Sequence, residues 1–189
     1  MPAARFRPLA LLTLLAASAP AAAQTPAPPP PLAYPGAPAG RPEDVGSMDA
    51  ILKALYDVIS GPAGQRRDWD RFRSLFTHNA RLIPTGLAPD GTVRLRSWSP
   101  DEYAQTAGAS LETMGFFERE IGRTVERFGP VVHVFSAYDS RRTAADPAPF
   151  ARGINSIQLL EAEGRWWVVS VFWHAERPDL PIPPQYLAR

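Results

Sequence analysis

The residue best placed to hold a small molecule is Asn155, an amide set in an apolar stretch near the C-terminus. If the last hairpin turns near Glu163, partner numbers sum to about 326, which puts Asn155 opposite Val171. Side chains alternate along a strand, so one face of this hairpin is apolar apart from Asn155. That face carries Gly153, Asn155, Ile157 and Leu159 against Trp173, Val171, Val169 and Trp167.

A buried amide without a partner costs about 1–3 kcal/mol, so Asn155 must bond to protein, to trapped water or to a ligand. It is therefore either a satisfied core asparagine or the polar contact of an apolar pocket, and both interpretations stay open. Trp173 is expected opposite Gly153, where the missing side chain leaves room for an indole that lines a cavity.

A second predicted hairpin is rich in charged residues. A turn at Gly129-Pro130 gives partner numbers near 258, so Arg119 lies opposite Asp139. Arg119, Arg123 and Arg127 then share one face, with Glu118, Glu120 and Glu126 on the other. Ion pairs on a solvated or dimer-facing surface account for most of these residues. Glu118 and Tyr138 are kept as pocket candidates.

Motifs for nucleophilic, metal or nucleotide chemistry are absent from the sequence. It has no Gly-x-Ser-x-Gly elbow, Walker loop or dinucleotide fingerprint. The three histidines form no His-x-His or His-Glu-x-x-His arrangement, and there is no cysteine, so we expect no metal and no cofactor. The candidate general bases are His78, His133 and Glu118.

The order of elements predicts an α+β domain. Apolar spacing predicts a helix over 51–59, Asp68 is placed to cap a second, short helix, and Ser99-Pro100-Asp101-Glu102 is a capping-box start for a third. Two short strands precede the third helix, at 80–84 and 92–98. Four long strands follow it, at 116–128, 131–142, 150–160 and 165–174.

The N-terminal residues predict an exported protein, periplasmic or secreted. Arg5 and Arg7, a short apolar run and Ala21-Ala22-Ala23 form a signal peptide over 1–23, about half as long as a membrane span requires. No stable membrane anchor is expected after cleavage. A proline-rich, disordered spacer is predicted over 24–46, the folded domain over 47–176, and a proline-rich arm over 177–189 that either packs or hangs free.

Composition excludes a basic nucleic-acid-binding surface. The chain has 20 basic and 19 acidic residues, and loss of Arg5 and Arg7 with the signal peptide leaves 18 against 19. We therefore expect no nucleic-acid partner.

Three segments resemble a known superfamily. Leu75-Phe76-Thr77-His78-Asn79-Ala80-Arg81-Leu82 is similar to the helix-to-strand passage of nuclear-transport-factor-2-like (SnoaL-like) proteins. Gly164-Arg165-Trp166-Trp167-Val168-Val169-Ser170 resembles their closing strand, and 151–159 is similar to an exported bacterial branch. The resemblance, over about 48–176, implies a cone-shaped curved antiparallel sheet wrapped around three helices, a conical pocket, and a homodimer through the outer face of the sheet.

Steroid isomerases of this superfamily carry three catalytic groups, and two of the matching positions here are altered. The oxyanion-hole acid corresponds to Asn155, which can donate a hydrogen bond but cannot act as an acid. The base falls near Ile83 or Pro84, where no base exists, and the tyrosine falls near Leu55 or Tyr56. Isomerase chemistry of that kind is not expected.

Two functions follow as hypotheses. The first is a binding module for a small apolar molecule, with Trp98, Tyr103, Asn155, Trp167 and Trp173 as wall residues and Tyr138 as a further contact. The second is a lyase, isomerase or cyclase acting on a small apolar substrate, which requires His78, His133 or Glu118 to face the pocket beside Asn155 or Tyr138.

Overall fold

The computed structural model describes residues 29–187. The predicted signal peptide and the start of the spacer lie outside them. The elements in chain order are α1 (Pro42–Val45), α2 (Met48–Ile59), α3 (Trp69–Arg73), β1 (Phe76–Leu87), β2 (Val93–Leu95), α4 (Pro100–Met114), β3 (Phe117–Phe128), β4 (Val131–Arg141), β5 (Ala151–Ala162), β6 (Arg165–Ala175) and a 3₁₀ turn (Pro184–Tyr186). No helix in this range is long and apolar enough to span a membrane.

The predicted helices form where their caps and apolar stripes indicate. Ser47 accepts a hydrogen bond from the Ala50 amide at the start of α2, and Asp68 accepts one from Arg71 at the start of α3. The capping box of α4 is complete, because Ser99 and Glu102 bond to each other's backbone amides. The buried apolar residues of α2 pack against the sheet. Together with apolar residues of the strands and the other helices they form the hydrophobic core.

The six strands form one sheet in the order β2-β1-β6-β5-β4-β3. All neighbouring pairs are antiparallel except β1 and β6, which are parallel. The helices cover the face that we call the inner face. On β5 this face carries Gly153, Asn155, Ile157 and Leu159, all buried, as the alternation predicts.

The β5–β6 register differs from the prediction in two ways. Asn155 lies opposite Trp173 rather than Val171, a slip of two residues that preserves the faces. A bulge then leaves Val169 without a partner, so Trp166 instead of Trp167 joins the core. The prediction of Trp167 as a wall residue is wrong, because its ring packs under the Arg165 guanidinium, 3.7 Å from the centroid.

Gly153 does make room for an aromatic ring, but the ring belongs to Tyr138. A Cβ at Gly153 would lie 2.5 Å from Tyr138 Oη and 2.4 Å from the His174 carbonyl oxygen. The expected opposition of Gly153 and Trp173 is therefore wrong, since Gly153 pairs with Ala175 and Tyr138.

In the β3–β4 hairpin, Arg119 lies opposite Asp139 and Glu120 opposite Tyr138, as predicted. A bulge at Ile121 then reverses the alternation, so Arg123 pairs with Ser136 on the inner face. The expectation that all three arginines share one face, and all three glutamates the other, is consequently wrong.

The spacer prediction is corrected over residues 31–46, which pack on the domain. The Tyr34 amide donates to the Phe76 carbonyl (3.1 Å), and the His78 amide donates to the Leu32 carbonyl (2.8 Å). Tyr34 and Val45 are buried, and Pro42 begins α1, a position where its missing amide hydrogen costs nothing. Proline content alone did not reveal these two apolar anchors.

The C-terminal arm packs across the outer face of the sheet as far as Leu187. Ile182 is buried, and the Tyr186 ring meets Phe135 of β4 at a centroid distance of 4.8 Å. At Gly122 of β3 the arm passes so close that a Cβ would lie 2.5 Å from the Tyr186 carbonyl oxygen. The arm thus occupies part of the face through which a homodimer is expected, and that dimer stays a prediction.

Candidate functional site

A cavity of about 280 Å³ lies between the inner face of the sheet and helices α2, α3 and α4. Its wall is mainly apolar, with residues such as Leu55, Phe72, Leu111 and Val171. Of the six residues that the sequence suggested as wall residues or contacts, all except Trp167 lie on this wall, together with one of the three suggested bases. They are Trp98, Tyr103, Tyr138, Asn155, Trp173 and Glu118.

Asn155 is held by a chain of hydrogen bonds that leads away from the cavity. Its Nδ2 donates to Tyr56 Oη (3.1 Å), which lies 2.7 Å from Ser136 Oγ. Ser136 donates in turn to Glu120 Oε2 (2.6 Å), so the Tyr56 hydroxyl donates to Ser136. Asn155 Oδ1 has no hydrogen-bond partner within residues 29–187. The amide is thus satisfied in part by protein while it lines the cavity.

Glu118 enters the cavity wall from the first residues of β3. Its Oε2 accepts a hydrogen bond from Ser140 Oγ (2.8 Å). Burial raises the pKa of the Glu118 carboxyl to about 7, against the opposing effect of hydrogen bonds from Ser140 and Asn155. Glu118 also lines two smaller recesses on its other side, so its side chain keeps some exposure although protein surrounds it.

The two other tyrosines of the wall present unused hydroxyl groups. Neither Tyr103 Oη nor Tyr138 Oη bonds to any group among residues 29–187. Burial raises the pKa of both hydroxyls well above the ordinary value, and the nearby Glu118 carboxyl raises it further. Both therefore stay protonated at neutral pH and can donate a hydrogen bond to a bound molecule.

Three inclined aromatic rings form one part of the wall. The Tyr103 centroid lies 6.3 Å from that of Trp98 and 6.4 Å from that of Trp173, with interplanar angles of 60° and 81°. Phe72 stacks on Tyr103 at 5.5 Å and fixes the position of its ring. The three rings come from the β2–α4 segment, from α4 and from β6, so only the folded chain brings them together.

The other two suggested bases do not line this cavity. His133 lies on the outer face, with Nε2 2.9 Å from Ser156 Oγ and its ring against Phe135. His78 lies near the start of β1, half-buried, and its Nδ1 has no partner in the described range. Across residues 29–187, no three His, Asp or Glu side chains are grouped so as to hold a metal ion.

Sequence reasoning underrated Tyr56 and missed Ser136 and Glu120. Tyr56 follows Leu55 on the buried side of α2, and this spacing alone is typical of an ordinary core residue. The available signal was the position of Tyr56 one residue from the tyrosine of steroid isomerases. Ser136 was missed because its partner Tyr56 lies on α2, 80 positions earlier in the chain.

Several solved structures are similar to this chain at low sequence identity. A protein of unknown function with a cystatin-like fold from Nostoc punctiforme PCC 73102 is 13% identical, with a TM-score of 0.50 over 71% of this chain and 91% of that one. A Kribbella flavida protein is 12% identical (TM-score 0.49, 67% and 86%). An NTF-2-like protein of unknown function from Silicibacter pomeroyi DSS-3 is 16% identical (TM-score 0.45, 68% and 92%).

No protein-family model matches the chain, and no curated protein matches it significantly. The six-stranded curved sheet with its helices, together with the Nostoc similarity, confirms the predicted fold class. The chain has the nuclear-transport-factor-2-like fold, and its similarity to these structures is one of fold alone.

Proposed function

We propose that this protein binds a small, largely apolar molecule in the cavity above Asn155. One observation carries the proposal: an apolar cavity of about 280 Å³ whose few polar groups retain unused hydrogen-bonding capacity. Small-molecule sites usually combine an apolar wall with a small number of convergent polar contacts. Here the contacts are Tyr103 and Tyr138 as donors and Asn155 and Glu118 as acceptors.

The arrangement favours a ligand site over an ordinary hydrophobic core, because polar side chains without hydrogen-bond partners are destabilising inside a core. A buried hydroxyl or carboxyl that lacks a partner destabilises a fold by about 1–3 kcal/mol. Asn155 and Tyr56 show that this chain pairs polar groups where stability requires it. The four groups beside the cavity are not enclosed in this way, since among residues 29–187 only His78 Nδ1 is fully buried without a partner. They face the open space of the cavity, where a bound molecule can complete their bonding.

The test is direct binding with a filled-cavity control. Ala107 lines the cavity, whereas Ala109 on the same helix is exposed. Native mass spectrometry of protein from its own host, followed by titration of the molecule recovered, should give binding to wild type and to Ala109→Phe. Ala107→Phe should lower affinity at least tenfold. Equal affinity in the two variants, or no bound molecule at all, would contradict the proposal.

A second candidate function is proton-transfer catalysis of the lyase, isomerase or cyclase type. The observation that favours it is the position of Glu118, the one suggested base on the cavity wall, beside Asn155 and Tyr138. A carboxyl with a pKa of about 7 is well matched to accept and return a proton at neutral pH. Tyr138 would donate a hydrogen bond to the oxygen that gains charge.

One variant distinguishes the catalytic function from the binding function. If Glu118 transfers the proton, Glu118→Gln should lower kcat for the recovered ligand at least a hundredfold under saturating ligand. If wild type leaves the ligand chemically unchanged over long incubation, the binding function stands alone.

We also propose that the protein acts outside the cytoplasm. Support comes from the basic, apolar and small-residue parts of residues 1–23. Mass spectrometry of the protein from periplasm and medium should give Gln24 as the first residue. Intact protein beginning at Met1 in the cytoplasm would overturn this localisation.

A further inference from the structure

The charged part of the cavity wall is entirely negative. Its lining includes one carboxyl, that of Glu118, and no lysine, arginine or histidine. An anionic ligand would lose its hydration there and meet a carboxyl instead of a cation. A cation would meet a counterion. Among charged ligands, the wall therefore favours organic cations.

The positive side chains behind Glu118 already have other partners. Arg119 and Arg141 bind Asp139, Arg123 binds Asp49, and Lys53 binds Asp57. Around Glu118 lie hydroxyl groups, an amide and further acidic residues. They are Tyr56 from α2, Tyr103 from α4, Tyr138 and Ser140 from β4, Asn155 from β5, Glu120 on the same strand, and Asp139 on the opposite face of the sheet. No side chain of the described range neutralises Glu118 as an ion pair.

The aromatic part of the wall provides the other half of a cation site. Trp98, Tyr103 and Trp173 stand at 60–81° to their neighbours, with centroids 6.3–6.4 Å apart. At these separations the rings contact one another at an angle, and the parts of each ring that line the cavity remain available to a cation. The Arg96 guanidinium, 5.9 Å from the Trp98 centroid, already uses the attraction of one of these rings for positive charge. Aromatic ring faces are a usual means by which proteins hold quaternary ammonium groups, and a nearby carboxylate adds a counterion.

We propose that the ligand of this cavity is an organic cation with an alkylated ammonium group, held among Trp98, Tyr103 and Trp173 with Glu118 as its counterion. This inference rests on the proposed binding function and names the chemical class of its ligand. The ammonium group contacts the ring faces, and its apolar remainder fills the space beside Leu55 and Leu111. No bond is made or broken.

Because Glu118 is the counterion, affinity for the cation should depend on pH, and the direction of the change can be stated. The cation binds best when Glu118 is ionised. The pKa of the Glu118 carboxyl in the ligand-free protein is about 7. Affinity for a permanently charged cation should therefore rise with pH through about 7 and become constant above it. A neutral molecule of the same shape gains nothing from that ionisation.

The experiment compares two probes of the same shape, benzyltrimethylammonium and its neutral isostere neopentylbenzene. Dissociation constants are measured by ligand-observed NMR at pH 5.5 and pH 8.5. We expect the cation to bind wild type at least tenfold more tightly than the isostere at pH 8.5. The difference should shrink several-fold at pH 5.5.

Variants assign the effect to the named residues. Glu118→Gln should remove the pH dependence and most of the preference for the cation. Glu126→Gln, the same change at an exposed position of β3, should leave both unchanged. Trp173→Leu should weaken the cation more than the isostere. Since the two wild-type measurements need no variant, a variant that fails to fold does not remove the test.

Each outcome bears on one statement. A preference for the neutral isostere, or equal and pH-independent binding of both probes, would overturn the cation inference and leave the binding function intact. A cation preference that survives in Glu118→Gln would overturn the role of Glu118. If neither probe binds and no host molecule is recovered with the protein, the proposed binding function itself fails.

Discussion

Two buried carboxyl groups at the β3–β4 hairpin, on opposite faces of the sheet, are treated in opposite ways. Asp139 on the outer face accepts hydrogen bonds from Arg119 (3.0 Å) and Arg141 (2.9 Å), which hold the pKa of its carboxyl below the usual value despite burial. Glu118 on the inner face has a serine and an amide as neighbours, and burial raises the pKa of its carboxyl. Paired charge supports the fold, whereas unpaired charge beside a cavity marks a candidate site.

The largest effect on stability is expected at Asp139, the carboxyl that is paired with arginines. Asp139→Asn should lower the free energy of unfolding by about 2–3 kcal/mol at pH 7, because it leaves a mostly buried Arg141 without its carboxylate. The estimate is at the low end for buried pairs because Arg119 is 64% exposed. Denaturant titration measures the change.

The acid dependence of that variant provides its control. The pKa of Asp139 is lowered in the folded protein, so wild type loses this stabilisation as the pH falls through that depressed value. Asp139→Asn should have a correspondingly flatter profile in acid. A loss below about 0.5 kcal/mol at pH 7 would mean that the two carboxyls do not differ as described.

Glu118→Gln should change the free energy of unfolding in the opposite direction. The folded protein holds Glu118 protonated up to about pH 7, whereas the unfolded chain ionises near 4.5. Wild type therefore loses stability as the pH rises from about 4.5 to about 7, and the loss is constant above that. At pH 8 Glu118→Gln should be more stable than wild type by about 1–3 kcal/mol.

Thermal unfolding from pH 4 to pH 9 measures this difference, which should vanish near pH 4. Glu126→Gln serves as the exposed control and should follow wild type throughout. If Glu118→Gln were less stable than wild type at pH 8, the Glu118 carboxylate would have a stabilising partner and the contrast with Asp139 would be lost.

A smaller effect distinguishes bonded from unbonded hydroxyl groups. Tyr56→Phe removes the hydroxyl that joins Asn155 to Ser136, and it leaves two buried groups short of a partner. We expect a loss of about 1–2 kcal/mol in the free energy of unfolding, measured by denaturant titration. An unchanged midpoint would indicate that water replaces the hydroxyl.

The smallest effect is expected for Tyr138→Phe. Its hydroxyl has no partner within residues 29–187, so its removal should change the free energy of unfolding by less than about 0.5 kcal/mol. Ligand affinity should nevertheless fall severalfold, because a donor to the ligand is lost. A stability loss equal to that of Tyr56→Phe would assign Tyr138 to the core instead of the site.

Much of the fold could be predicted because its signals are local. The capping box at Ser99 and Glu102 and the apolar stripe of α2 depend on residues a few positions apart. Long β-rich runs gave the four strands within about two residues. The bulges at Ile121 and Val169 could not be predicted, because one extra residue changes no composition signal yet reverses every later side chain.

By itself the sequence determined that Asn155 shares a strand face with Gly153, Ile157 and Leu159, since alternation is a property of the strand alone. Only the tertiary structure decided what that face meets. Tyr56 reaches Asn155 across 99 positions of chain, and Glu118 joins them from another strand. Packing of α2 and α4 over the sheet sets these distances, and no local preference of the chain encodes them.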